Sequence, residues 1–514
     1  MKQKILLFLL GVIFSLPSFA RDIEYTHENQ TLIYTVIDEE AKTVKTKAGT
    51  ISSEDEPVAG NAFSGNTYFN LVIPSQIEVD DVKYDVIEIG EYGFYHARLV
   101  KSVTIPNSVT KIGAHAFESC TYFSSFTIPE SVTEIGEYAF SNCWNLTSIT
   151  IPESVTEIKG NTFSNCWNLT SVSIPNSVTK IGTEAFYGCS SLTSVSIPNS
   201  VTEIGESAFA ACYLAYAEFA SIEALCRINF ANPEANPLLA SEAKLYIDGK
   251  EVTSLIIPES VTEIKDYAFN GCSSHTSVSI PSSVTKIGTE AFWACANLTY
   301  AEFASIEALC AMNFADASAN PLFNGCSLYV DGKEVTSPII PESVTEIKDN
   351  AFNGCRSLTS INIPEGVTSI GKGAFSDCEN VTSITIPKSI TSIGTEGFYR
   401  VSNWPAEITY LADEPIEADS PFGPNTLSHT TLYMSEAGAA YVEKNNTKPW
   451  VSFKNIKVVE GSSAIDEVVT DFNVDAPCEV FLLTGVKVAD TTVDLPAGIY
   501  IVRQGDSVKK IAVN

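Results

Sequence analysis

The sequence predicts an α/β-type solenoid that is mostly β and is built by stacking short coils. Ile-Pro pairs recur along the chain, most of them 23 residues apart, and in nine copies a cysteine follows the proline by fourteen residues. Each copy carries apolar positions that it is too short to bury by itself, whereas stacked copies can bury them against their neighbours. A stack also explains how 514 residues avoid the size limit of a single hydrophobic core.

The copy that begins at Leu192 illustrates the predicted coil. Val195 and Ile197 alternate with serines, so we expect these two side chains to point inward from a strand. Pro198 ends the strand because it cannot donate to a central ladder. A second short extended piece follows, and the turn that ends at Cys212 returns the chain to the next strand. We expect these 23-residue coils to form a right-handed stack.

Two steps between Ile-Pro pairs are 60 residues long. We interpret each as one degenerate coil with a helical turn, at residues 221–230 and 305–314, followed by a hairpin. The Asp-Gly dipeptides at 248–249 and 331–332 are suited to the type I′ turns of such hairpins.

The period breaks at both ends of the array, where a solenoid needs caps. At the N-terminus, Lys2 and Lys4 precede an apolar run, and Ser18-Phe19-Ala20 supplies the small-x-small cleavage site of a signal peptide. The predicted organisation is a signal peptide at 1–20, an N-terminal β cap at 21–85, the solenoid at 86–400, a C-terminal cap at 401–460 and a small β module at 461–514.

Charge and hydropathy limit the partners and the compartment. The 31 basic and 62 acidic residues give a net charge of −31, which argues against a nucleic-acid partner. No apolar run after the predicted signal peptide approaches the roughly 18 residues that a transmembrane helix needs. The sequence therefore predicts an exported protein without a transmembrane span.

The repeated phrase IPxSVTxIGxxAFxxC resembles the BspA-like leucine-rich repeats of bacterial surface proteins, over about residues 70–400. This resemblance implies a leucine-rich-repeat stack displayed outside the cell, and adhesion to host or bacterial surface proteins. Residues 495–500 (LPAGIY) and 510–513 (KIAV) resemble the sorting tail of type IX secretion cargo. That second resemblance implies passage through the outer membrane and a location at the cell surface, on the outer membrane or in the medium.

The sequence shows no catalytic or metal-binding constellation. Its five histidines lie in different coils or caps without metal-ligand spacing, and neither a Gly-x-Ser-x-Gly elbow nor a Gly-rich phosphate loop occurs. Carboxylates are plentiful, but Glu134, Glu157 and Glu203 each lie five residues after a proline, which favours a role in the coil. We predict that the protein is not an enzyme and has no cofactor.

The repeat cysteines allow two interpretations, buried thiols or a disulfide framework of an exported protein. Parallel inward side chains keep their Cβ atoms about 4.8 Å apart, beyond the distance that a disulfide prefers. Ala243 and Val401 occupy the same position in two coils, which favours a small buried apolar group. The cysteines concerned are Cys120, Cys143, Cys166, Cys189, Cys212, Cys272, Cys295, Cys355 and Cys378.

Aromatic residues beside the cysteines form the candidate binding site. Trp144 and Trp167 occupy the same position in neighbouring coils, and Tyr187 and Tyr213 lie close to that position in later coils. Two stacked indoles can form a platform for a sugar ring or an apolar side chain of a partner. The alternative is that these rings only cover the coil edge. The predicted strand face carries mostly serine and threonine, which rarely anchor an interface.

These observations predict a monomeric, secreted or cell-surface leucine-rich-repeat protein. Its expected role is adhesion or protein-protein interaction with host matrix proteins or bacterial surface proteins. The alternatives are a glycan-binding surface module and a structural spacer that binds nothing.

Overall fold

The computed structural model describes residues 22–27, 30–47, 69–124, 127–239, 243–401, 407–459, 479–482, 487–489, 498–504 and 507–513. The predicted signal peptide lies outside these residues. The chain divides into two compact units, one of residues 1–252 with 270–272 and one of residues 253–269 with 273–514. Strands dominate both units and the helices are short, so the predicted repeat-rich, mostly-β solenoid is confirmed at this level.

The described residues of the first unit form short strands, one helix and one 3₁₀ turn. Its elements are β1 (Asp22–His27), β2 (Gln30–Asp38), β3 (Thr43–Thr46), β4 (Phe69–Val72), β5 (Gln76–Val79), β6 (Val82–Ile89), β7 (Val100–Thr104), β8 (Lys111–Ile112), β9 (Glu134–Ile135), β10 (Ser148–Thr150), β11 (Glu157–Ile158), β12 (Ser171–Ser173), β13 (Lys180–Ile181), β14 (Ser194–Ile197), β15 (Glu203–Ile204), β16 (Tyr216–Phe219), α1 (Ile222–Arg227), β17 (Asn229–Phe230), a 3₁₀ turn (Pro233–Ala235), β18 (Lys244–Ile247) and β19 (Lys250–Glu251).

The second unit repeats this pattern and adds two more helices near its end. Its elements are β20 (Ser254–Ile256), β21 (Glu263–Ile264), β22 (Ser277–Ile280), β23 (Lys286–Ile287), β24 (Tyr300–Phe303), α2 (Ile306–Ala311), β25 (Asn313–Phe314), 3₁₀ turns (Ala317–Ala319 and Pro321–Asn324), β26 (Ser327–Val330), β27 (Lys333–Glu334), β28 (Glu346–Ile347), β29 (Ser360–Asn362), β30 (Ser369–Ile370), β31 (Ser383–Ile386), β32 (Ser392–Ile393), β33 (Glu407–Tyr410), α3 (Pro424–His429), β34 (Thr431–Ser435), α4 (Glu436–Asn445), a 3₁₀ turn (Trp450–Ser452), β35 (Asn455–Val459), β36 (Glu479–Leu482), β37 (Lys487–Ala489), β38 (Gly498–Gln504) and β39 (Ser507–Val513).

Most regular coils contribute one strand to each of two sets of parallel strands, which we call the first and second ladders. In the first ladder Ser148 pairs with Ser171, and in the second Ile158 pairs with Ile181, so in both cases the partners are 23 residues apart. Side chains alternate along the first ladder, and Val195 and Ile197 are buried as predicted. The intervening serines of these strands form the outer strand face.

Phenylalanines from successive coils stack through the middle of the core. In the first unit Phe94, Phe117, Phe140, Phe163, Phe186 and Phe209 form a continuous stack with ring centroids 5.3–5.6 Å apart. All six are buried. Burying such a side chain stabilises the fold by about 1.5–3 kcal/mol, and aromatic pairing adds to this. The stack therefore joins each coil to both of its neighbours.

The turn that carries these phenylalanines is tied to the next coil by backbone hydrogen bonds. His115, Phe117 and Ser119 donate their amide N–H groups to carbonyls of the following coil at 2.8–2.9 Å. His115 and Ser119 adopt positive φ angles of 56° and 61°. The amides of every second residue in this turn thus point to the following coil, while those of Ala116 and Glu118 bond within their own coil.

The repeat cysteines are buried thiols that also donate hydrogen bonds. The Sγ of Cys143 lies 3.2 Å from the carbonyl oxygen of Phe117 in the preceding coil, and Cys166 contacts Phe140 in the same way. All twelve cysteines within the described part of the chain are free and buried, which excludes the disulfide alternative there. The sequence interpretation anticipated their burial but not this hydrogen bond.

Glycine in the Ile-Gly pair lets the coils approach each other closely. Gly182 donates its N–H to the carbonyl of Ile158 at 2.7 Å, and a Cβ atom on Gly182 would lie 2.5 Å from the nitrogen of Gly160. Lys159 stands at the glycine position of its own coil. Strand β11 is not paired with β9, so the second ladder is interrupted at this coil. In the second unit Lys348 stands at the same position, and β28 likewise begins a new ladder.

The two long steps contain the predicted helix and hairpin. Helices α1 and α2 lie within the segments predicted as helical turns, and Ser221 and Ser305 cap them by accepting from backbone N–H groups at 3.0 Å. In the second hairpin Asp331 and Gly332 have φ angles of 51° and 69°, as a type I′ turn requires.

The hairpins are less separate from the stack than the sequence interpretation assumed. Strand β18 pairs in parallel with β16, and β26 pairs in parallel with β24, so the first strand of each hairpin belongs to the ladder. Only β19 and β27 turn back antiparallel. Tyr216 pairs with Lys244, 28 residues further along the chain, whereas partners in regular coils are 23 residues apart. Helix α1 lies between Tyr216 and Lys244 and accounts for the longer step.

Parallel pairing continues beyond residue 400 in the second unit. Strands β31, β33, β34 and β35 pair in that order. The connections are longer here, and Trp450 is buried with its ring centroid 4.5 Å from that of Tyr410. Strands β36 to β39 form a four-stranded antiparallel sheet in the order β37-β36-β38-β39.

We predict that Gly182→Ala lowers the free energy of unfolding by about 1–3 kcal/mol, because the added methyl group overpacks a backbone contact. Guanidinium denaturation followed by circular dichroism measures the change. Gly160→Ala is the matched control, since its Cβ would lie 3.3 Å from its nearest neighbour, Thr183 O, and Ala114 already stands at that coil position. Equal losses in the two variants would contradict this account of the Ile-Gly pair.

We also predict that the repeat thiols resist alkylation in the folded protein. Burial raises the pKa of Cys120 to about 12 and that of Cys212 to about 12, so at pH 8 almost no reactive thiolate forms. Intact mass after iodoacetamide treatment should show the twelve described cysteines unmodified in buffer and modified in guanidinium without reductant. Four or fewer modified thiols after denaturation would contradict the buried-thiol structure.

Candidate functional site

Trp144 and Trp167 form a stacked pair on the surface of the first unit. Their ring centroids are 4.8 Å apart and their planes differ by 1°. The side chains remain 40% and 47% exposed. The pair therefore combines a fixed orientation with a large accessible apolar edge, which is the property that favours aromatic residues at interfaces.

The turns that carry the two indoles are held by neighbouring coils. Each tryptophan directly follows a repeat cysteine, and the asparagine before that cysteine adopts a left-handed conformation, with φ angles of 58° at Asn142 and 57° at Asn165. Asn168 donates its backbone N–H to the carbonyl of Trp144 at 3.2 Å. These contacts place the two indoles in register, as their equivalent sequence positions predict.

The two tyrosines predicted as members of the site are exposed but are not joined to the indoles. Tyr187 is 38% exposed and Tyr213 is 67% exposed. Among the described residues, the ring contact of the two indoles is with each other and not with either tyrosine. Ser190 occupies the coil position between Trp167 and Tyr213, so the aromatic row at this position is interrupted by one small residue.

A second aromatic row, which ends in the coil that carries Trp144, was missed by the sequence interpretation. The ring of His115 stacks between Tyr92 and Tyr138, with centroid distances of 4.4 Å and 4.8 Å and planes within 5° of parallel. The three residues are spaced 23 apart, so the period would have revealed them.

The strand face is also richer than predicted. It carries short polar side chains in the regular coils, but each degenerate coil places a tilted tyrosine pair there. Tyr216 and Tyr246 have centroids 4.7 Å apart, and Tyr300 and Tyr329 have centroids 4.8 Å apart. The sequence interpretation missed both pairs because the altered spacing of these coils hides which residues share a face.

Lysine and glutamate side chains of neighbouring coils form ion pairs along the second ladder. Glu134 accepts from Lys159 at 2.6 Å and lies 3.4 Å from Lys111, while Lys180 lies between Glu157 and Glu203 at 3.6 Å and 3.8 Å. The hydrogen bond from Lys159 holds the pKa of the Glu134 carboxyl below its usual value. The three glutamates that recur after the prolines thus pair with lysines of neighbouring coils.

This charged ladder borders an open groove of about 450 Å³, lined by Lys45, Glu88, Lys111, Glu134 and Lys159 among others. Its charges already form ion pairs with one another. Across the described residues, no group of three or more His, Cys, Asp or Glu side chains is arranged to hold a metal ion. Nor does any helix in the described part of the chain have the length and hydropathy to cross a membrane.

Comparison with known proteins identifies the repeat. The family model described as "BspA type Leucine rich repeat region" matches in six copies, over residues 87–215, 243–320 and 325–411. No curated protein matches the chain.

Three solved structures illustrate the similarity. A leucine-rich repeat protein from Bacteroides ovatus is 24% identical, covers 84% of this chain and 98% of its own, and has a TM-score of 0.45. A leucine rich cell surface protein from Faecalibacterium prausnitzii is 27% identical, with 77% and 95% covered and a TM-score of 0.34. The pneumococcal vaccine antigen PcpA is 19% identical, with 85% and 99% covered and a TM-score of 0.41.

Proposed function

This chain belongs to the family of BspA-type leucine-rich repeat proteins, and from that membership we propose that it is a secreted or cell-surface protein that adheres to proteins on host or bacterial surfaces. Its contacts would be made by the exposed residues Trp144, Trp167, Tyr187 and Tyr213 of the first unit, with host matrix proteins and bacterial surface proteins as the candidate partners.

The observation that carries this proposal is the exposed Trp144–Trp167 stack. Tryptophan is among the residues that dominate interface energies, and neighbouring aromatic side chains that are already oriented lose little conformational entropy on binding. Tyr187 and Tyr213 are also exposed, in later coils of the same unit, and would enlarge the contact. The row of Ser and Thr on the regular part of the strand face supplies no comparable anchor.

Export is part of the proposal. The basic start, apolar run and small-x-small site at residues 1–20 support cleavage of a signal peptide. The resemblance of the last residues to a type IX sorting tail supports passage through the outer membrane. The net charge of −31 suits an exported protein that must stay in solution or bind basic surfaces.

We predict that replacing both indoles, by Trp144→Ala with Trp167→Ala, costs at least about 2 kcal/mol of binding free energy, or about thirtyfold in Kd. The partner is chosen by screening the mature protein against immobilised matrix proteins, glycans and intact bacterial cells, and the Kd is then measured by biolayer interferometry. Circular dichroism should be unchanged, because the indoles lie outside the phenylalanine stack.

The matched control is Ser171→Ala with Ser173→Ala on the strand face, expected to cost under about 0.5 kcal/mol. A larger loss in the serine variant would move the binding surface to the strand face. Unfolding of both variants would mean that the indoles act only as packing. If a glycan is the strongest ligand in the screen, the protein is a carbohydrate-binding module instead.

We predict that removing residues 461–514 leaves the thermal midpoint of the repeat array unchanged, because the parallel ladder closes with β35 at Val459 and the Gly-Ser-Ser stretch at 461–463 resembles a linker. Differential scanning calorimetry of the full and shortened proteins measures this. A drop of several degrees would show that the tail stabilises the array and is not a detachable sorting signal.

A further inference from the structure

The two tyrosine pairs on the strand face belong to equivalent clusters, one in each unit. In the second unit Glu302 and Glu334 pair directly with Tyr329 from the strands on its two sides, and Tyr300 lies diagonally beside it. The tyrosine rings are half-buried, with centroids 4.8 Å apart and planes tilted by 41°. We call Tyr300, Glu302, Tyr329 and Glu334 the second-unit cluster.

The first unit builds the same arrangement with one added residue. Glu218 and Glu251 pair with Tyr246 on its two sides, and Tyr216 lies diagonally beside it. Lys244 lies two residues before Tyr246 in β18 and therefore on the same face of the sheet. Its Nζ lies 2.9 Å from Glu251. The hydrogen bond with Glu251 raises the pKa of Lys244, so the chain supplies its own cation to this cluster.

The second-unit cluster lacks that cation. Ser327 occupies the position of Lys244, and its hydroxyl donates to Glu334 at 2.7 Å. Glu302 accepts from the N–H of Gly332 at 2.8 Å. Within the described residues no basic side chain forms an ion pair with either glutamate. In the described part of the chain, two carboxylates and two aromatic rings thus share one partly exposed surface without an ion-pair partner for either carboxylate.

A third strand-face tyrosine has both a glutamate and a lysine of the chain beside it. Tyr433 donates its hydroxyl hydrogen bond to Glu407 at 3.0 Å, and the Nζ of Lys457 lies 5.4 Å from the centroid of its ring. A cation over a tyrosine ring is attracted by the ring electrons as well as by nearby carboxylates. In two of the three places, therefore, a lysine of the chain itself accompanies a tyrosine and a glutamate.

We propose that the second-unit cluster binds a lysine or arginine side chain of a partner protein, in the place that Lys244 takes in the first unit. Charge complementarity favours a basic partner, because the chain carries 62 acidic and 31 basic residues. The inference rests on the proposed function only in taking the partner to be a protein. It uses a different surface from Trp144 and Trp167, so the two hypotheses can fail separately.

The test uses the full mature chain labelled with 3-fluorotyrosine. The resonances of Tyr216, Tyr246, Tyr300 and Tyr329 are assigned through Tyr→Phe variants. The probe is the peptide acetyl-Gly-Lys-Gly-amide, and acetyl-Gly-Gln-Gly-amide is its neutral control. The lysine peptide should shift the ¹⁹F resonances of Tyr300 and Tyr329 in a saturable way, with a Kd at least about tenfold lower than that of the glutamine peptide. Raising the salt concentration should weaken the response.

Two reciprocal substitutions decide the outcome. Ser327→Lys installs the cation that the first unit already tolerates, so it should fold and should weaken peptide binding at Tyr300 and Tyr329 at least about tenfold. Lys244→Ser removes the lysine from the equivalent residues of the first unit, so Tyr216 and Tyr246 should begin to respond to the peptide. Glu334→Gln keeps the acceptor for Ser327 but removes the charge, and should weaken binding roughly fivefold.

An undiminished response in Ser327→Lys would overturn the proposal, as would equal binding of the lysine and glutamine peptides. A neutral chitotriose probe that shifts Tyr300 and Tyr329 more tightly than the lysine peptide would also overturn it, because the cluster would then be a carbohydrate surface. None of these results alters the affinity test on the indole pair.

Discussion

The close approach of adjacent coil backbones is the constraint on which the rest of this structure depends. Backbone hydrogen bonds between coils run through both ladders and through the turn, so every coil must copy the path of its neighbour. Glycine at the Ile-Gly pair leaves room for that path, since a methyl group there would lie within 2.5 Å of the neighbouring backbone. Where Lys159 replaces the glycine, the second ladder stops, while the phenylalanine stack continues through Phe140 and Phe163.

Because each coil copies its neighbour, a residue type repeated in the sequence becomes a row in space. Apolar residues gain from this arrangement, as the phenylalanine stack and the Trp144–Trp167 pair show. Charged residues do not gain from it, because identical charges would be neighbours and would repel each other. Lysine separates glutamates of neighbouring coils in the second ladder, as Lys180 does between Glu157 and Glu203. Where the glutamates of two successive coils come together, Lys159 contacts Glu134.

The regular coils could be predicted from the sequence because a fixed period converts position directly into environment. Buried Val195, Ile197 and Cys212 follow from that period, and so does the stacking of two tryptophans at equivalent positions. The tyrosine clusters could not be predicted in the same way. A helix lengthens the step before β18 and β26, so residues that share a strand face there, such as Tyr300 and Tyr329, no longer share a repeat position. The membership of β18 and β26 in the parallel ladder was hidden for the same reason.

The row of buried thiols also affects how the chain reaches its folded state. Seven of the nine regular cysteines donate to a phenylalanine carbonyl of the preceding coil, as Cys143 does to Phe117, so these thiols are enclosed once the preceding coil is in place. For a chain exported as proposed above, the compartment is oxidising, and an unfolded chain there exposes thiols that can form disulfides with one another. Coil addition is local, because each coil contacts its sequence neighbours, and every added coil removes another thiol from the reach of oxidants. The rate of coil assembly therefore competes with the rate of thiol oxidation. The fold with reduced thiols forms when coil assembly is the faster of the two.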